Sequence, residues 1–281
     1  MKHSARTRLP RLVLAFVLAL AVGPSRAAEA ETLYLGSVAM DTPAEMVRRL
    51  TPLADYLSRR TGLRIEFRAS PDLGSAVKEL GRDFTQIAYL TPVAYLEARE
   101  QYNAQPLVAP LTRGKSTFTL VIAARADSPY RRTADLRGKR FAFGDPKALL
   151  QRAVVLESGI RLEEFGGYEF LRHYDNIAKA VLNRDFDAGI LKDTVFEEYE
   201  PRGLRRLYTS PPLPSYLFAV SERLPPATVA RLRAAFLELK ADNPQHRAIL
   251  RELDANYEGF EPVQDRDYDL IRRMIAPFRT Q

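Results

Sequence analysis

Residues 173–193, HYDNIAKAVLNRDFDAGILKD, contain the side chains of this chain that are best placed to contact a ligand. The apolar spacing predicts a short helix, and the alternation after it predicts a short strand that ends in a polar turn. Ligands of open α/β sheets lie beyond the carboxyl ends of strands, where helices begin. His173 and Asp193 both fall at such ends. We therefore expect these two side chains at a ligand site, and we expect Asp175 to cap the helix.

Each candidate also has an ordinary structural explanation. His173 contacts a ligand, or it is a partly buried histidine whose hydrogen bonds are satisfied within the fold. Asp193 pairs with a cationic group of a ligand or with the neighbouring Lys192. The rings of Tyr174 and Tyr216 stack on a ligand or pack in the core. The residues alone leave both explanations open.

Thr91, Lys147 and four leucines extend the candidate set. Thr91 stands before a proline and has the type and position of a helix cap. Lys147 lies at a predicted helix start, where a cation is mildly unfavourable, so it is either solvated or pairs with an anion. The leucines line an apolar pocket or belong to the core, and they are Leu73, Leu90, Leu149 and Leu150.

The first residues carry the pattern of a cleaved secretory signal. Four Lys and Arg residues precede an apolar run of eleven residues, 12–22, and Ser25 and Ala27 supply small residues before a cleavage site. The run is shorter than the roughly 20 residues that a membrane-spanning helix needs. We therefore expect residues 1–27 to be removed and the mature protein to be periplasmic.

The basic character of the chain belongs largely to this signal. Five of the 42 Lys and Arg residues lie in residues 1–27, which hold no Asp or Glu, so 37 basic residues face 35 acidic ones and a net charge of +2 remains. This balance does not imply a nucleic-acid partner. There is no cysteine, and only His173 and His246 remain after cleavage. Disulfides and thiolate chemistry are excluded, and we expect no metal and no cofactor.

The order of the predicted elements favours an α/β fold. Strand-like and helix-like segments alternate from Leu33 onward, which is typical of a mainly parallel sheet covered on both faces. A polar break at 113–116 and the proline-rich segment 210–215 interrupt this order. We interpret the two interruptions as crossovers between two domains, for which 281 residues are sufficient.

Four segments together resemble the phosphate/phosphite/phosphonate-binding family of periplasmic solute-binding proteins, which serve ABC importers. The segments are QIAYLTPVAYLEAR (86–99), FAFGDPK (141–147), HYDNIAKAVLNRDFDAGI (173–190) and SPPLPSYL (210–217). The resemblance covers nearly the whole mature chain and depends on the order and spacing of the segments. It implies the type-2 binding-protein fold, in which two α/β lobes are joined by two crossover strands and close over a ligand. The lobes would be 31–114 plus 213–281, and 115–212.

The resemblance also implies ligand contacts. His173 matches the family histidine, and Asp193 lies within a residue of a family carboxylate. After Gly-Asp-Pro the family has a Ser/Thr run at a helix start, whose hydroxyl and N–H groups hold phosphonate oxygens. The corresponding residues here are Ala148, Leu149 and Leu150.

Other family contacts are replaced as well. Leu73 and Leu90 take the places of family tyrosines, and Tyr216 takes the place of an aspartate that meets a substrate amine. Because most of the oxyanion ligation is absent, we expect weak or no binding of phosphate, phosphite and simple phosphonates.

The function that we expect is that of a periplasmic solute-binding protein of an ABC importer. It would bind a small molecule between its lobes as a monomer and deliver it to an ABC permease. One alternative is a periplasmic sensing subunit for a membrane receptor or sensor kinase. An enzyme on the same architecture is the other, and it is not our expectation, because the sequence holds no Gly-x-Ser-x-Gly elbow, phosphate-binding loop or zinc-helix motif.

Overall fold

The computed structural model describes Met1 and residues 32–146 and 149–279. The strands in this part of the chain are β1 (Thr32–Ser37), β2 (Arg64–Phe67), β3 (Ile87–Leu90), β4 (Gln105–Thr112), β5 (Thr117–Phe118), β6 (Leu120–Arg125), β7 (Arg140–Phe143), β8 (Gly167–Phe170), β9 (Ala188–Lys192), β10 (Leu204–Thr209), β11 (Leu213–Pro214), β12 (Leu217–Val220) and β13 (Tyr257–Pro262). The α-helices are α1 (Pro43–Thr61), α2 (Leu73–Gly81), α3 (Pro92–Tyr102), α4 (Leu149–Glu157), α5 (Tyr174–Leu182), α6 (Asp193–Tyr199), α7 (Pro226–Glu238), α8 (Pro244–Leu253) and α9 (Asp269–Arg279).

Polar caps in the sequence fix where the first three helices begin. Thr42 Oγ1 accepts a hydrogen bond from the N–H of Glu45 at 3.3 Å, and the Asp72 carboxylate accepts one from Ser75 at 2.9 Å. Thr91 caps α3 in the same way. In α1 and α3 a proline follows the cap, where its fixed φ suits the first helical turn. The start of α3 confirms the cap that the sequence predicts at Thr91.

Two sheets carry most of the strands. The larger has the order β13-β4-β12-β3-β1-β2, and the smaller has the order β10-β6-β9-β7-β8. β1 runs parallel to β2 and β3, and β7 runs parallel to β8 and β9, but the other neighbours within both sheets are antiparallel. The prediction of mainly parallel sheets is therefore wrong. Parallel neighbours need a helical crossover, whereas β12 enters the larger sheet directly from the connection between the sheets.

Two short strands cross between the sheets. β5 pairs antiparallel with β11, so that Leu213 lies opposite Phe118 and Pro214 opposite Thr117. The chain enters β5 from the larger sheet and leaves β11 toward it, and residues 120–209 between them supply the whole smaller sheet. The protein thus has the expected two-lobed α/β architecture. The lobe boundaries near 114 and 213 stay a prediction.

Apolar clusters hold the helices against both faces of the sheets. On one face of the larger sheet, helices α1 and α7 bury Leu53, Leu57 and Phe236 against Phe218 of β12. On one face of the smaller sheet, Ile177 of α5 packs with residues of β6, β9 and α6. Layers of helices on both faces are the arrangement in which such sheets bury their apolar side chains.

Two local predictions around α5 and α6 need correction. Asp175 does not cap α5, because the cap position is His173 and Asp175 lies in the first helical turn. Its Oδ1 accepts a hydrogen bond from the Tyr199 hydroxyl at 3.0 Å, so it ties α5 to α6. The segment at Lys192 and Asp193 is not a free turn, because α6 begins at Asp193.

The predicted signal lies, apart from Met1, outside the described residues, and its cleavage stays a prediction. Within the described part of the chain, no helix combines the length and the apolar character that crossing a membrane requires.

Candidate functional site

A cavity of about 200 Å³ lies between the layers of the two sheets, next to the crossover strands. Its walls come from the starts of four helices and from the crossover region. Gly74 of α2, residues 91–94 at the start of α3, and Tyr174 of α5 line it. The described start of α4 contributes Leu150 and Gln151. Phe118 of β5, Leu120 at the start of β6 and Tyr216 between β11 and β12 complete the walls.

The helix starts place partial positive charge around this cavity. The first turn of a helix carries N–H groups without intrahelical partners, which favour polar or anionic groups nearby. At the start of α3, Thr91 Oγ1 accepts the N–H of Ala94 at 3.1 Å, and the Thr91 carbonyl accepts the N–H of Tyr95 at 2.9 Å. Pro92 has no N–H. The N–H of Val93 is left without a partner among the described residues, so it is available to a ligand.

Gln151 is the most buried polar side chain of the cavity, at 5% exposure. Its Oε1 accepts a hydrogen bond from the N–H of Gly144 at 2.8 Å, and its Nε2 donates to the Tyr174 hydroxyl at 3.3 Å. A Cβ at Gly144 would lie 2.7 Å from this Nε2, so a side chain there would displace the amide. Since an amide nitrogen has two hydrogens, the second N–H of Gln151 can meet a ligand.

Tyr174 and Tyr216 present neutral hydroxyls to the cavity. Burial raises the pKa of Tyr174 to about 12, the hydrogen bond from Gln151 lowers it, and the nearby Asp193 carboxylate raises it. Burial, followed by the neighbouring Tyr174, raises the pKa of Tyr216 well above its ordinary value. The Tyr216 ring meets the Phe118 ring edge-on, with centroids 6.3 Å apart. Both hydroxyls therefore donate or accept hydrogen bonds at neutral pH without carrying charge.

The charged member of the described lining is Glu97. It lies on α3 one turn after Val93, and the i, i+4 spacing places the two residues on the same helix face. Among the described lining residues there is no Lys, Arg or His. The site therefore combines apolar and aromatic walls, a few neutral polar groups and one carboxylate.

Four of the predicted site residues line the cavity, namely Thr91, Leu150, Tyr174 and Tyr216. Leu90 is fully buried in the core, and Leu149 is partly buried against the same apolar cluster. Leu73 is the first residue of α2, next to the lining residue Gly74, and its side chain is not described. Lys147 and Ala148 lie outside the described residues.

His173 and Asp193 flank the cavity without being part of its lining. His173 is exposed, and its side chain makes no capping hydrogen bond. Asp193 Oδ2 accepts a hydrogen bond from the N–H of Thr119 at 2.8 Å, and its Oδ1 accepts one from the N–H of Thr194 at 2.8 Å. The bond to Thr119 ties the start of α6 to the residue between β5 and β6, which is a structural role for Asp193. A ligand contact at either residue stays a prediction.

Lys192 pairs with Asp254 and not with Asp193, the partner that one alternative from the sequence predicts. Its ammonium lies 3.9 Å from the Asp254 carboxylate, at the end of α8. β9 belongs to the smaller sheet and α8 packs on the larger, so this pair joins the two layers beside the cavity. Its side chains are only 18% and 26% exposed.

Sequence reasoning missed Gln151, Glu97, Phe118 and Leu120. Gln151 directly follows Leu150, a predicted site residue on the helix after Gly-Asp-Pro, so this neighbourhood could have identified Gln151 as a site residue. Glu97 stands four residues after Val93, and this spacing could have shown that the two residues lie on the same face of the helix. Nothing in an apolar strand distinguishes a cavity-lining Phe118 or Leu120 from core residues.

A metal site is not evident in the described part of the chain. No group of three or more His, Asp or Glu side chains there is arranged to hold an ion.

Comparison with known proteins places this geometry in a family. The "Phosphate-import protein PhnD" of Mycolicibacterium smegmatis is 24% identical over 273 residues, which cover 87% of this chain and 85% of that protein. Methylphosphonate-bound PhnD1 from Prochlorococcus marinus has a TM-score of 0.77 at 17% identity and covers 89% of this chain and 99% of its own. Chloride-bound XAC2383 from Xanthomonas citri has a TM-score of 0.76 at 24% identity, with the same two coverages.

These likenesses to solved structures show the two-lobed fold of periplasmic binding proteins. The family itself is shown by a match that extends over residues 35–268, from the middle of β1 to the turn before α9. The chain belongs to the family of periplasmic substrate-binding proteins of phosphonate ABC transporters.

Proposed function

We propose that this protein binds a small solute that has an apolar body and one compact polar or singly charged end, and that it delivers this solute to an ABC permease. The observation that carries the proposal is the cavity at which four helices begin and whose walls are otherwise largely apolar. The body of the solute lies among Phe118, Leu120 and Leu150. Its polar end meets the Val93 N–H and the Gln151 amide.

A fully charged phosphate or phosphonate is poorly served by this set of groups. A buried dianion loses its hydration and needs several aimed donors in return. The donors that the described lining offers include the Val93 N–H, the Gln151 amide and the hydroxyls of Thr91, Tyr174 and Tyr216, and none of these groups carries a positive charge. Leu150 occupies a place where the family has a hydroxyl. Each lost hydrogen bond to a charged group costs about 1.5–3 kcal/mol, so two or three weaken binding roughly a hundredfold or more. Glu97 adds repulsion.

The ligands bound to the structural neighbours do not identify the solute of this chain. PhnD1 was solved with methylphosphonate, and XAC2383 was solved with a chloride ion and with ATP. Ligands of such different size and charge are compatible with one fold because specificity depends on the residues of the site. The lining of this chain is therefore the relevant guide.

Titration calorimetry of the mature protein with phosphate, phosphite, methylphosphonate and aminoethylphosphonate tests the proposed ligand class. We expect no submicromolar binding of any of them. Submicromolar binding of one would contradict the proposal and would mean that donors outside the described lining complete an oxyanion site.

The transport role has its own test. Cross-linking in intact periplasm, followed by identification of the attached membrane protein, should yield subunits of an ABC permease. Attachment to a sensor kinase or another receptor instead would favour the sensing alternative.

A further inference from the structure

We infer that Glu97, together with the rings of Phe118, Tyr174 and Tyr216, selects a solute that carries a positively charged nitrogen. This inference rests on the proposed function, since it names the chemical class that the same cavity takes. It makes Glu97 a residue that determines specificity.

No ion pair between Glu97 and a cation is present among the described residues, so its carboxylate brings a negative charge to the cavity. Its side chain is half-buried, and its Oε1 accepts a hydrogen bond from Gln101 Nε2 at 3.3 Å. That donor is a neutral amide, so it leaves the charge of the carboxylate in place. The other oxygen, Oε2, has no hydrogen-bond partner among the described residues. A partly desolvated carboxylate of this kind gains most from a cation that enters the cavity beside it.

Two described cations, Arg99 and Lys192, have partners of their own. Arg99, two residues further along α3, donates to the Asn103 carbonyl at 3.3 Å and lies 3.8 Å from the Asp265 carboxylate. The Lys192 ammonium lies 6.0 Å from the centre of the Phe118 ring, but it pairs with Asp254 and is not part of the lining. Within the described lining, a positive partner for Glu97 must therefore come with the solute.

The aromatic rings support the same charge. Phe118, Tyr174 and Tyr216 all line the cavity, and the edge-on contact between Phe118 and Tyr216 turns the two rings in different directions. A cation within about 6 Å of a ring centre is attracted by the ring face, and this attraction grows when the cation is desolvated. A carboxylate combined with several rings is a set of groups that binds ammonium ions.

The helix also sets the distance between the two ends of the solute. Val93, whose N–H is available, and Glu97 are separated by one turn, which places their Cβ atoms about 5–6 Å apart. A polar or anionic end at Val93 and a cationic end at Glu97 therefore belong to a short molecule. The geometry is that of a small cation or a short zwitterion.

Isosteric pairs of probes that differ only in this charge test the inference. They are choline and its neutral tert-butyl isostere, glycine betaine and tert-butylacetate, and taurine and propanesulfonate. Calorimetry with the mature protein should show that at least one ammonium member binds about tenfold or more tightly than its partner, as expected for a cation attracted by a carboxylate and by aromatic ring faces. In Glu97→Gln this ratio should fall to near unity, since the amide keeps the shape and loses the charge.

Glu100→Gln is the matched control. Glu100 lies on the same helix but is exposed and pairs with Arg279, so its loss should leave the ratio unchanged. Equal binding within every pair, a ratio that survives in Glu97→Gln, or no binding of any ammonium probe would overturn the inference. Equal binding within the pairs would leave the proposed function standing, because the probes without an ammonium group would still occupy the cavity.

Discussion

Replacing Gln151 by leucine should both destabilise the protein and disturb its cavity. The Gln151 side chain is 5% exposed, and it bridges the buried N–H of Gly144 and the hydroxyl of Tyr174. Leucine has a similar size but cannot accept the Gly144 N–H. In the wild type that N–H donates to Gln151 Oε1 at 2.8 Å, and in the variant it would be buried without a partner.

The expected loss follows from this orphaned donor. An unsatisfied buried polar group costs about 1–3 kcal/mol, and for a chain of this size a loss of ~2 kcal/mol lowers the melting temperature by about 4–8 °C. Gln245→Leu is the control, because Gln245 is exposed on α8 and should change stability by less than about 0.5 kcal/mol. Thermal unfolding followed by circular dichroism measures both variants.

A Gln151→Leu protein that melts with the wild type would refute this reasoning. It would mean that the Gly144 N–H finds another partner or that water reaches it. A loss of stability equal to that of Gln245→Leu would contradict the reasoning in the same way.

The remaining predictions concern the connection between lobes, the tyrosines and the N-terminus. Lys192→Met removes the pair with Asp254 and should raise the radius of gyration of the ligand-free protein in small-angle scattering. Lys179→Met, at an exposed position on α5, should leave the radius unchanged. A bound solute should lower the radius of the wild type. The pKa of Tyr174 is raised to about 12 in the folded protein, so the stability that its neutral hydroxyl contributes is complete below the unfolded pKa near 10 and is lost as pH rises to about 12. Tyr174→Phe should therefore weaken the loss of stability at alkaline pH, which denaturant titrations measure. N-terminal sequencing of the periplasmic protein should begin near Ala28, and a mature chain that still begins at Met1 would contradict the predicted cleavage.

Local chemistry made much of the fold predictable from the sequence. Thr42, Asp72 and Thr91 each cap a helix because their side chains accept N–H groups that no intrahelical carbonyl can take. The proline-rich segment 210–215 marks the second crossover because its residues cannot join a central strand. Such signals act over a few residues, so they can be read without knowing the rest of the fold.

Long-range pairing could not be predicted in the same way. The direction of β12 and β13 relative to β4 depends on the path of the chain between the sheets, and no residue in these strands encodes it. β13 could not be predicted from its own residues, since only its pairing with β4 distinguishes it from a loop. The hydrogen bond that Asp193 accepts from the N–H of Thr119, far away in the sequence, could not be predicted for the same reason.

The site was half predictable. Thr91 and Tyr174 stand at helix starts, and helix starts converge where strands end, so their place in the cavity follows from topology. Glu97 and Gln151 are ordinary helix residues in the sequence, and only the packing of α3 and α4 around the cavity makes them part of its lining.

The account depends most directly on a solute in the cavity, and native mass spectrometry of freshly purified mature protein tests it. Val93→Trp fills the cavity from α3, while Val47→Trp adds the same ring at an exposed position of α1. We predict a small molecule bound to the wild type and to Val47→Trp, and its absence from Val93→Trp. A molecule retained equally by Val93→Trp, or a wild type that remains empty after exposure to periplasmic extract, would contradict the central claim.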